Sequence, residues 1–307
     1  MSFYTPLRYP GGKARLGPWF AQVLRHNRIS DGVYAEPYAG GAGAAMFLLV
    51  RGYVKQVHIN DADPVVYSFW HAATKNSTRL VKLVRETPVT IETWEQQKDV
   101  IAHPHRYSHL RVGFATFFLN RTNRSGILAG GVIGGKGQQG NFKLDARYNK
   151  DELIKRLETI GELRQCISVQ GIDAQEWLST TGSELPAGSL LYLDPPYFVK
   201  GSQLYRNYYN PADHAAIARQ VMSVETPVVV TYDNVPDIRS LYQQAAAVNF
   251  SLRYSTHAAR PQSTEVLFYR NLTLPSSPRL TRGNHLPPAS LNEASDVVPH
   301  VVDELLA

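Results

Sequence analysis

Between Val33 and Asp61 the chain runs VYAEPYAG, then GGAGAAMFLLVRG, then VKQVHIND. The first piece is a short apolar stretch that ends in a glycine turn. The second is rich in Ala, Leu and Met, and the third alternates apolar and polar residues before stopping at Asn60 and Asp61. Strand, turn, helix, strand is the unit of a parallel sheet, because two parallel strands need a crossover long enough to hold a helix. This unit commits the chain to an α/β architecture. SLLYLDPPY (189–197) reads as a further buried strand cut short by two prolines. PADHAAIARQVMSVE (211–225) reads as a helix with Asn210 as its cap before Pro211, and PVVVTYDN (227–234) as a valine-rich strand. NFSLRYST and EVLFYRN read as a closing antiparallel pair.

The 307 residues, 43% of them apolar, suffice for one large α/β domain or for one domain with an insertion. The lone cysteine, Cys166 in RQCISV, rules out a disulfide within the chain and fits a reducing compartment. Its place at the start of a strand predicts a buried, inert thiol. No run of about 18 apolar residues offers a membrane span. The opening MSFYTPLRYPGGK carries no secretory pattern, so a cytoplasmic protein without a membrane partner is expected. The net charge of +6 is unevenly spread: residues 75–164 hold 16 Lys/Arg against 9 Asp/Glu. All of the excess therefore sits in one central block, which suits a polyanionic partner. That block also contains GILAGGVIGGKGQQGNF (126–142), with too little apolar area for a packed core, and predicts a mobile loop or hairpin there. The organisation expected is a main domain over 1–74 and 165–271, an insertion over 75–164, and a flexible Pro/Ser/Asn-rich tail over 272–307.

Four motifs carry chemistry. In Asp194-Pro195-Pro196-Tyr197 two prolines remove two backbone donors and hold the chain extended. The Asp194 carboxylate and the Pro195 carbonyl can then converge as acceptors beside an aromatic ring, an arrangement that suits a planar ring bearing an NH2 group. In AEPYAGGAG (35–43), Gly40, Gly41 and Gly43 let the backbone turn tightly and approach a ligand closely. Asp61 follows about 20 residues on, where an acidic residue can accept hydrogen bonds from ribose hydroxyls. The turn is neither GxGxxG nor GxxxxGK[ST], which points to a nucleoside ligand without phosphates. Glu36 could meet the amino group of such a ligand or serve as a structural carboxylate. In Arg8-Tyr9-Pro10-Gly11-Gly12-Lys13, Tyr9 could stack on an adenine ring and Lys13 could reach an acidic group. In residues 118–126, Asn120, Arg121, Thr122, Asn123, Arg124 and Ser125 offer groups suited to base edges and phosphates, with Lys136 in the adjoining glycine loop. His103, His105 and His109 lack cysteine or carboxylate partners at a ligating spacing, so no metal site is expected.

RYPGGK, EPYAGGAG, IND, FFLNRTNRSG and LYLDPPY, in that order, resemble the DNA adenine methylase (Dam-like) family, from about residue 7 to residue 270. The family usually has Phe where Tyr38 stands, a change that keeps the ring. The resemblance implies a Rossmann-like methyltransferase sheet of seven strands with helices on both faces, and a mainly helical insertion that reads DNA. It implies S-adenosyl-L-methionine as cofactor and double-stranded DNA as partner, with methylation of adenine N6. Carried over residue by residue, Tyr9 and Lys13 line the cofactor pocket, and Tyr38 and Gly40 with their neighbours wrap the methionine part. Asp61 holds the ribose, Asp173 lies near the cofactor adenine, and Asp194 lies between cofactor and target base. Segment 120–126 and the glycine loop read DNA. A cytosine-C5 enzyme is excluded, because it needs a cysteine after proline and Cys166 follows Gln165. An N4-cytosine enzyme usually carries Ser, and a protein-glutamine methyltransferase Asn, where Asp194 stands. The remaining alternative is a catalytically silent DNA-binding protein of the same fold.

Overall fold

A computed structural model describes residues 4–8, 13–29, 32–199, 209–253 and 262–278. Seven strands form one sheet: β1 (Val33–Glu36), β2 (Gln56–Asn60), β3 (Ile167–Gln170), β4 (Leu190–Leu193), β5 (Val228–Asp233), β6 (Ala246–Arg253) and β7 (Gln262–Arg270). Their order across the sheet is β3-β2-β1-β4-β5-β7-β6. The first five neighbours run parallel, and β7 enters antiparallel between β5 and β6. The chain starts in the middle, builds outward to β3, then returns to lay β4 on the other side of β1. The connections diverge there, so the C-terminal ends of β1 and β4 border a crevice, the usual ligand site of an open parallel sheet.

Strand periodicity sorts the core into two layers. On one face Tyr34, Val57, Ile59, Leu190, Tyr192, Val229 and Leu267 meet α1 (Gly17–His26), α2 (Gly43–Val50) and α3 (Pro64–Lys75). On the other, Val33, Ala35, Leu191, Leu193, Val228, Val230 and Tyr232 meet α8 (Ala174–Ser179), α9 (Pro211–Ser223) and α10 (Pro236–Leu241). Alternate strand residues point to opposite faces, and both faces are covered, so the strands read as continuous apolar runs. Asn210 caps α9 as expected, in a reciprocal box with Asp213.

Between β2 and β3 lie α4 (Ser77–Glu86), α5 (Ile91–Ala102), α6 (His109–Thr122) and α7 (Lys150–Glu162). Thr90, Ser108 and Asn149 cap the last three of these helices with their side chains. These helices share one apolar core with the first face of the sheet: Leu80, Trp94, Phe114, Phe117 and Leu157 belong to the same cluster as Tyr34 and Val57. Gly113 makes this possible, because a Cβ there would sit 2.5 Å from the Ser68 carbonyl oxygen of α3. The glycine run 126–142 is a series of turns tied by a few contacts. Val132 is buried and bridges Asn123, and Gln138 staples the turn by donating to the carbonyls of Ile133 and Gly135 and accepting from the Leu144 amide. Polar side chains close a segment that lacks apolar mass. The start of the expected tail departs from expectation: the Thr273 amide donates to Asn27, and Trp19 donates to the Ser276 carbonyl, pinning it to α1. Cys166 is half-buried rather than enclosed. Among the described residues no helix is long and apolar enough to cross a membrane.

Candidate active site

The glycine turn after β1 is held from every side. Asn60, buried at the end of β2, donates to the carbonyls of Pro37 and Ile172 and accepts from the Ile172 amide, which ties the ends of β1, β2 and β3 together. Trp70 of α3 donates to the Gly40 carbonyl (2.9 Å) and the Thr5 hydroxyl to the Gly41 carbonyl (2.5 Å). Gly40 and Ala42 take φ of 46° and 41°, a left-handed conformation that comes without cost only to glycine. A Cβ on Gly43 would fall 2.4 Å from the Ala14 side chain, so the turn and the N-terminal segment touch.

Asp61 lies under this turn, accepting from the Gly40 amide (2.8 Å) and the Asp63 amide (2.9 Å). Burial raises its pKa to about 7 against the pull of those two amides. Glu36 is fully inside. It accepts from the Ala45 amide (3.1 Å), capping α2 from β1 where Ala42 has no side chain to do so. Burial raises Glu36 to about 8 despite this hydrogen bond. Of the two roles open to Glu36, the structure displays the structural one. Tyr38 is half-buried, and its hydroxyl meets that of Tyr209 at 3.0 Å. Asp173, at the surface, caps α8 through the Gln175 amide. Tyr9 lies outside the described residues, as do Pro10, Gly11 and Gly12.

Across the crevice, Asp194 follows the end of β4. Lys13, in a 3-10 turn (Lys13–Leu16) leading into α1, donates to both its oxygens, Oδ1 at 3.0 Å and Oδ2 at 3.1 Å. Thr231 of β5 donates to Oδ1 at 2.7 Å and in turn meets the Tyr192 hydroxyl at 2.9 Å. Lys13 Nζ also lies 3.2 Å from the Tyr197 hydroxyl and 3.4 Å from Glu265 Oε2 on β7, while Tyr197 donates to Glu265 Oε1. Burial works against the Lys13 charge, but Asp194 and Glu265 outweigh it and hold the pKa well above the usual lysine value. In β5, Asp233 accepts from the amides of Phe198 and Val199, fixing the chain just after Pro-Pro-Tyr. Tyr192, Thr231, Asp233 and Glu265 occupy positions on the face that also carries Leu190, Val229 and Leu267. Strand alternation puts them on one face, and the neighbouring order β4-β5-β7 brings them together beside Lys13.

Several expected site residues have other duties. Tyr197 is 7% exposed and its hydroxyl is engaged, so little of its ring is open to a base. Asn120, Arg121, Thr122 and Asn123, expected at DNA, are turned inward. Asn120 grips the N-terminal segment by both backbone groups of Arg8 and donates to the Gly126 carbonyl. Thr122 bonds within α6 to the Phe118 carbonyl. Asn123 accepts from Trp94 and donates to the carbonyls of Ile127 and Leu128. Arg121 is 8% exposed, and burial, with Arg156 and Arg8 adding repulsion, lowers it to about 9. Their polar groups serve the end of a buried helix, which spacing alone does not distinguish from an outward-facing cluster. Arg124 and Lys136 are exposed and Ser125 half-exposed; Lys136 pairs with Glu95 at 2.9 Å. His103, His105 and His109 form no metal cluster among the described residues.

Glu265, Thr231, Tyr192, Asp233 and Asn60 were not singled out from the sequence. The signal available for the first was a charged residue opening an apolar strand, TEVLFYR, and for the second a polar residue inside PVVVTYD.

The sequence model of the D12 class N6 adenine-specific DNA methyltransferase family matches residues 9–256, a span that takes in both sides of this crevice. The chain belongs to that family. D12 class enzymes methylate adenine N6 in DNA, and the resemblance read from RYPGGK, EPYAGGAG and LYLDPPY is thereby borne out. The D12 fold here is a Rossmann-like sheet covered on both faces, as expected. As a methyltransferase family it draws on S-adenosylmethionine. No curated protein sequence matches the chain at a significant level. Solved structures similar to it include a protein from Pyrococcus horikoshii proposed to be an RNA methyltransferase. That match has 14% identity, covers 86% of this chain and 84% of that one, and gives a TM-score of 0.40. Another is the rRNA methyltransferase aviRa from Streptomyces viridochromogenes, with 13% identity, 85% of each chain covered and a TM-score of 0.36.

Proposed function

We propose that Asp194 and the Pro195 carbonyl receive the exocyclic amine of an adenine flipped out of duplex DNA, with the cofactor lying along the glycine turn. The observation that carries this reading is the uneven engagement of Asp194. Among the described residues, Oδ1 takes both Thr231 and Lys13, whereas Oδ2 takes only Lys13, and the side chain stays 21% exposed beside the buried Lys13 and Glu265. Oδ2 therefore keeps room for one N–H donor. The residues fit S-adenosylmethionine. A turn with two left-handed residues allows close backbone approach, Asp61 retains lone pairs for ribose hydroxyls, and the part-exposed Asp194 carboxylate suits a cation at the crevice. When bound, the cofactor supplies an electrophilic methyl group on a sulfonium. Tyr38, Gly40, Gly41 and Gly43 would border its methionine part, and Asp173 its adenine.

The target amine is a weak nucleophile because its lone pair is delocalised into the ring. Acceptance of both N–H bonds by Oδ2 and the Pro195 carbonyl favours a pyramidal nitrogen and frees that pair. Lys13 and Thr231 keep Oδ2 aimed, and the negative charge of Asp194 stabilises the positive charge that develops on N6. Position supplies much of the acceleration, and the residues need no metal. A base reaches this depth only outside the stack. The exposed Arg124 and Lys136 and the half-exposed Ser125 suit the phosphate backbone of duplex DNA. The reading places the enzyme in the cytoplasm of a prokaryotic or phage-infected cell, with 75–164 as its target-recognition region. Incubation of duplex DNA with methyl-labelled cofactor, followed by digestion to nucleosides, tests the reading. Labelled N6-methyl-2′-deoxyadenosine is expected. Labelled N4-methylcytosine, or no label with DNA still bound, defeats it.

A further inference from the structure

Asp194 is partly exposed, whereas the second carboxylate beside Lys13 is not. Glu265 has a side chain 1% exposed, on the antiparallel strand β7, and is reached by Lys13 from one side and by the Tyr197 hydroxyl from the other. A carboxylate buried to this extent is costly unless its neighbours compensate it. Its burial keeps it from the base. Among its contacts are the two groups that flank the acceptor: the ammonium that grips both oxygens of Asp194, and the tyrosine that closes the Pro-Pro turn.

We propose that Glu265 is a positioning residue for methyl transfer, anchoring Lys13 and Tyr197 from behind so that Asp194 Oδ2 stays aimed at the incoming amine. The inference rests on the proposed role of Asp194 and adds a residue to it. Without Glu265, Lys13 has a single carboxylate partner and settles fully onto Asp194, competing with the substrate for Oδ2. With Glu265 present, the ammonium is shared between two carboxylates and Asp194 keeps its remaining acceptor site. The groups facing Lys13 are Asp194, Tyr197 and Tyr192 from β4 and the turn after it, and Glu265 from β7. Removing the Glu265 charge therefore also makes the Lys13 proton easier to lose.

The test compares Glu265→Gln with wild type in the labelled-methyl assay on duplex DNA, across pH. The expected result is a kcat lower by about 10- to 100-fold, the cost of a small misplacement of a reacting group. KM for cofactor and DNA should stay within about threefold, with the alkaline limb of the kcat profile moved down in pH. Wild-type kcat overturns the proposal. So does a loss of kcat with the alkaline limb unmoved, which marks a role in folding alone. Should Glu265→Gln not fold by circular dichroism, Glu265→Asp takes its place. The shortened carboxylate keeps its charge but retreats from Lys13, so a smaller loss of kcat and a smaller downward move of the limb are expected, and a wild-type profile overturns the proposal. Wild type yielding no labelled N6-methyl-2′-deoxyadenosine defeats the reading of Asp194 itself; labelled wild type with an unaffected variant defeats only the role of Glu265.

Discussion

At the scale of single residues, the site is a set of carboxylates distinguished by their surroundings. Asp194 is held by a cation and a hydroxyl, Asp61 by backbone amides, and Glu36 by a helix end inside the core. Asp194→Ala is expected to leave cofactor binding measurable by calorimetry, because Lys13 retains Glu265 as its counter-charge. Methyl incorporation should fall by about 10²–10³-fold or more, the loss typical of a missing electrostatic contact in the transition state. Asp61 gives a separate prediction. Its pKa is raised by burial to about 7, so it is largely protonated below that pH and a poorer acceptor for ribose hydroxyls. Cofactor affinity measured by titration calorimetry should therefore weaken, by up to about tenfold per unit, as pH falls below 7. In Asp61→Asn it should be weak and nearly flat with pH; an unchanged slope in that variant would sink the assignment.

At the scale of elements, the decisive contact is between the N-terminal segment and the end of α6. The chain upstream of Lys13 is clamped at Arg8, and Asn120 and Gly126 form the clamp. Gly126 has φ of 77°, and a Cβ there would stand 2.5 Å from the Arg8 carbonyl oxygen. Gly126→Ala should thus cost about 1–3 kcal/mol from backbone strain, with the steric clash adding to it. The expected readouts are a lower Tm in calorimetry and a kcat that falls with it, since displacing the segment displaces Lys13. A variant with unchanged Tm would mean that the clamp is not strained by a methyl group.

At the scale of the whole molecule, charge sets the response to salt and to pH. Arg124→Ala and Lys136→Ala should each weaken DNA binding to a similar extent on any sequence. Each should also reduce the slope of log affinity against log salt by about one, as for lost phosphate contacts. Fluorescence anisotropy at several salt concentrations measures both. The pairing of Lys136 with Glu95 offsets part of its effect. Stability should fall as pH rises. Asp61 and Glu36 have folded-state pKa values near 7 and 8, above those of the unfolded chain, so the native state binds the extra protons. Their contribution is complete below the unfolded values near 4 and is lost as pH climbs through the folded ones. Thermal melts should show a lower Tm at pH 9 than at pH 6, by about 2–4 °C for each kcal/mol lost. A Tm that rises over that range would contradict it.

The alternating and apolar runs of the sequence by themselves determined a parallel sheet with a closing antiparallel pair. The turn after β1 and the abrupt end of β4 marked where a ligand meets it. These features are local: glycine, proline and strand periodicity act within a few residues of where they stand. The tertiary structure decided which polar residues share a site. Glu265 reaches Lys13 from a strand more than 200 residues further along the chain, and Thr231 meets the Asp194 that Lys13 grips, a meeting set by strand order that no local pattern encodes. It also decided which face of α6 is buried. Asn120, Arg121, Thr122 and Asn123 look like surface chemistry in one dimension. Packing of α6 against α3 and of the N-terminal segment over its end turns them into internal connectors, because buried backbone groups must find partners and these side chains are the ones within reach.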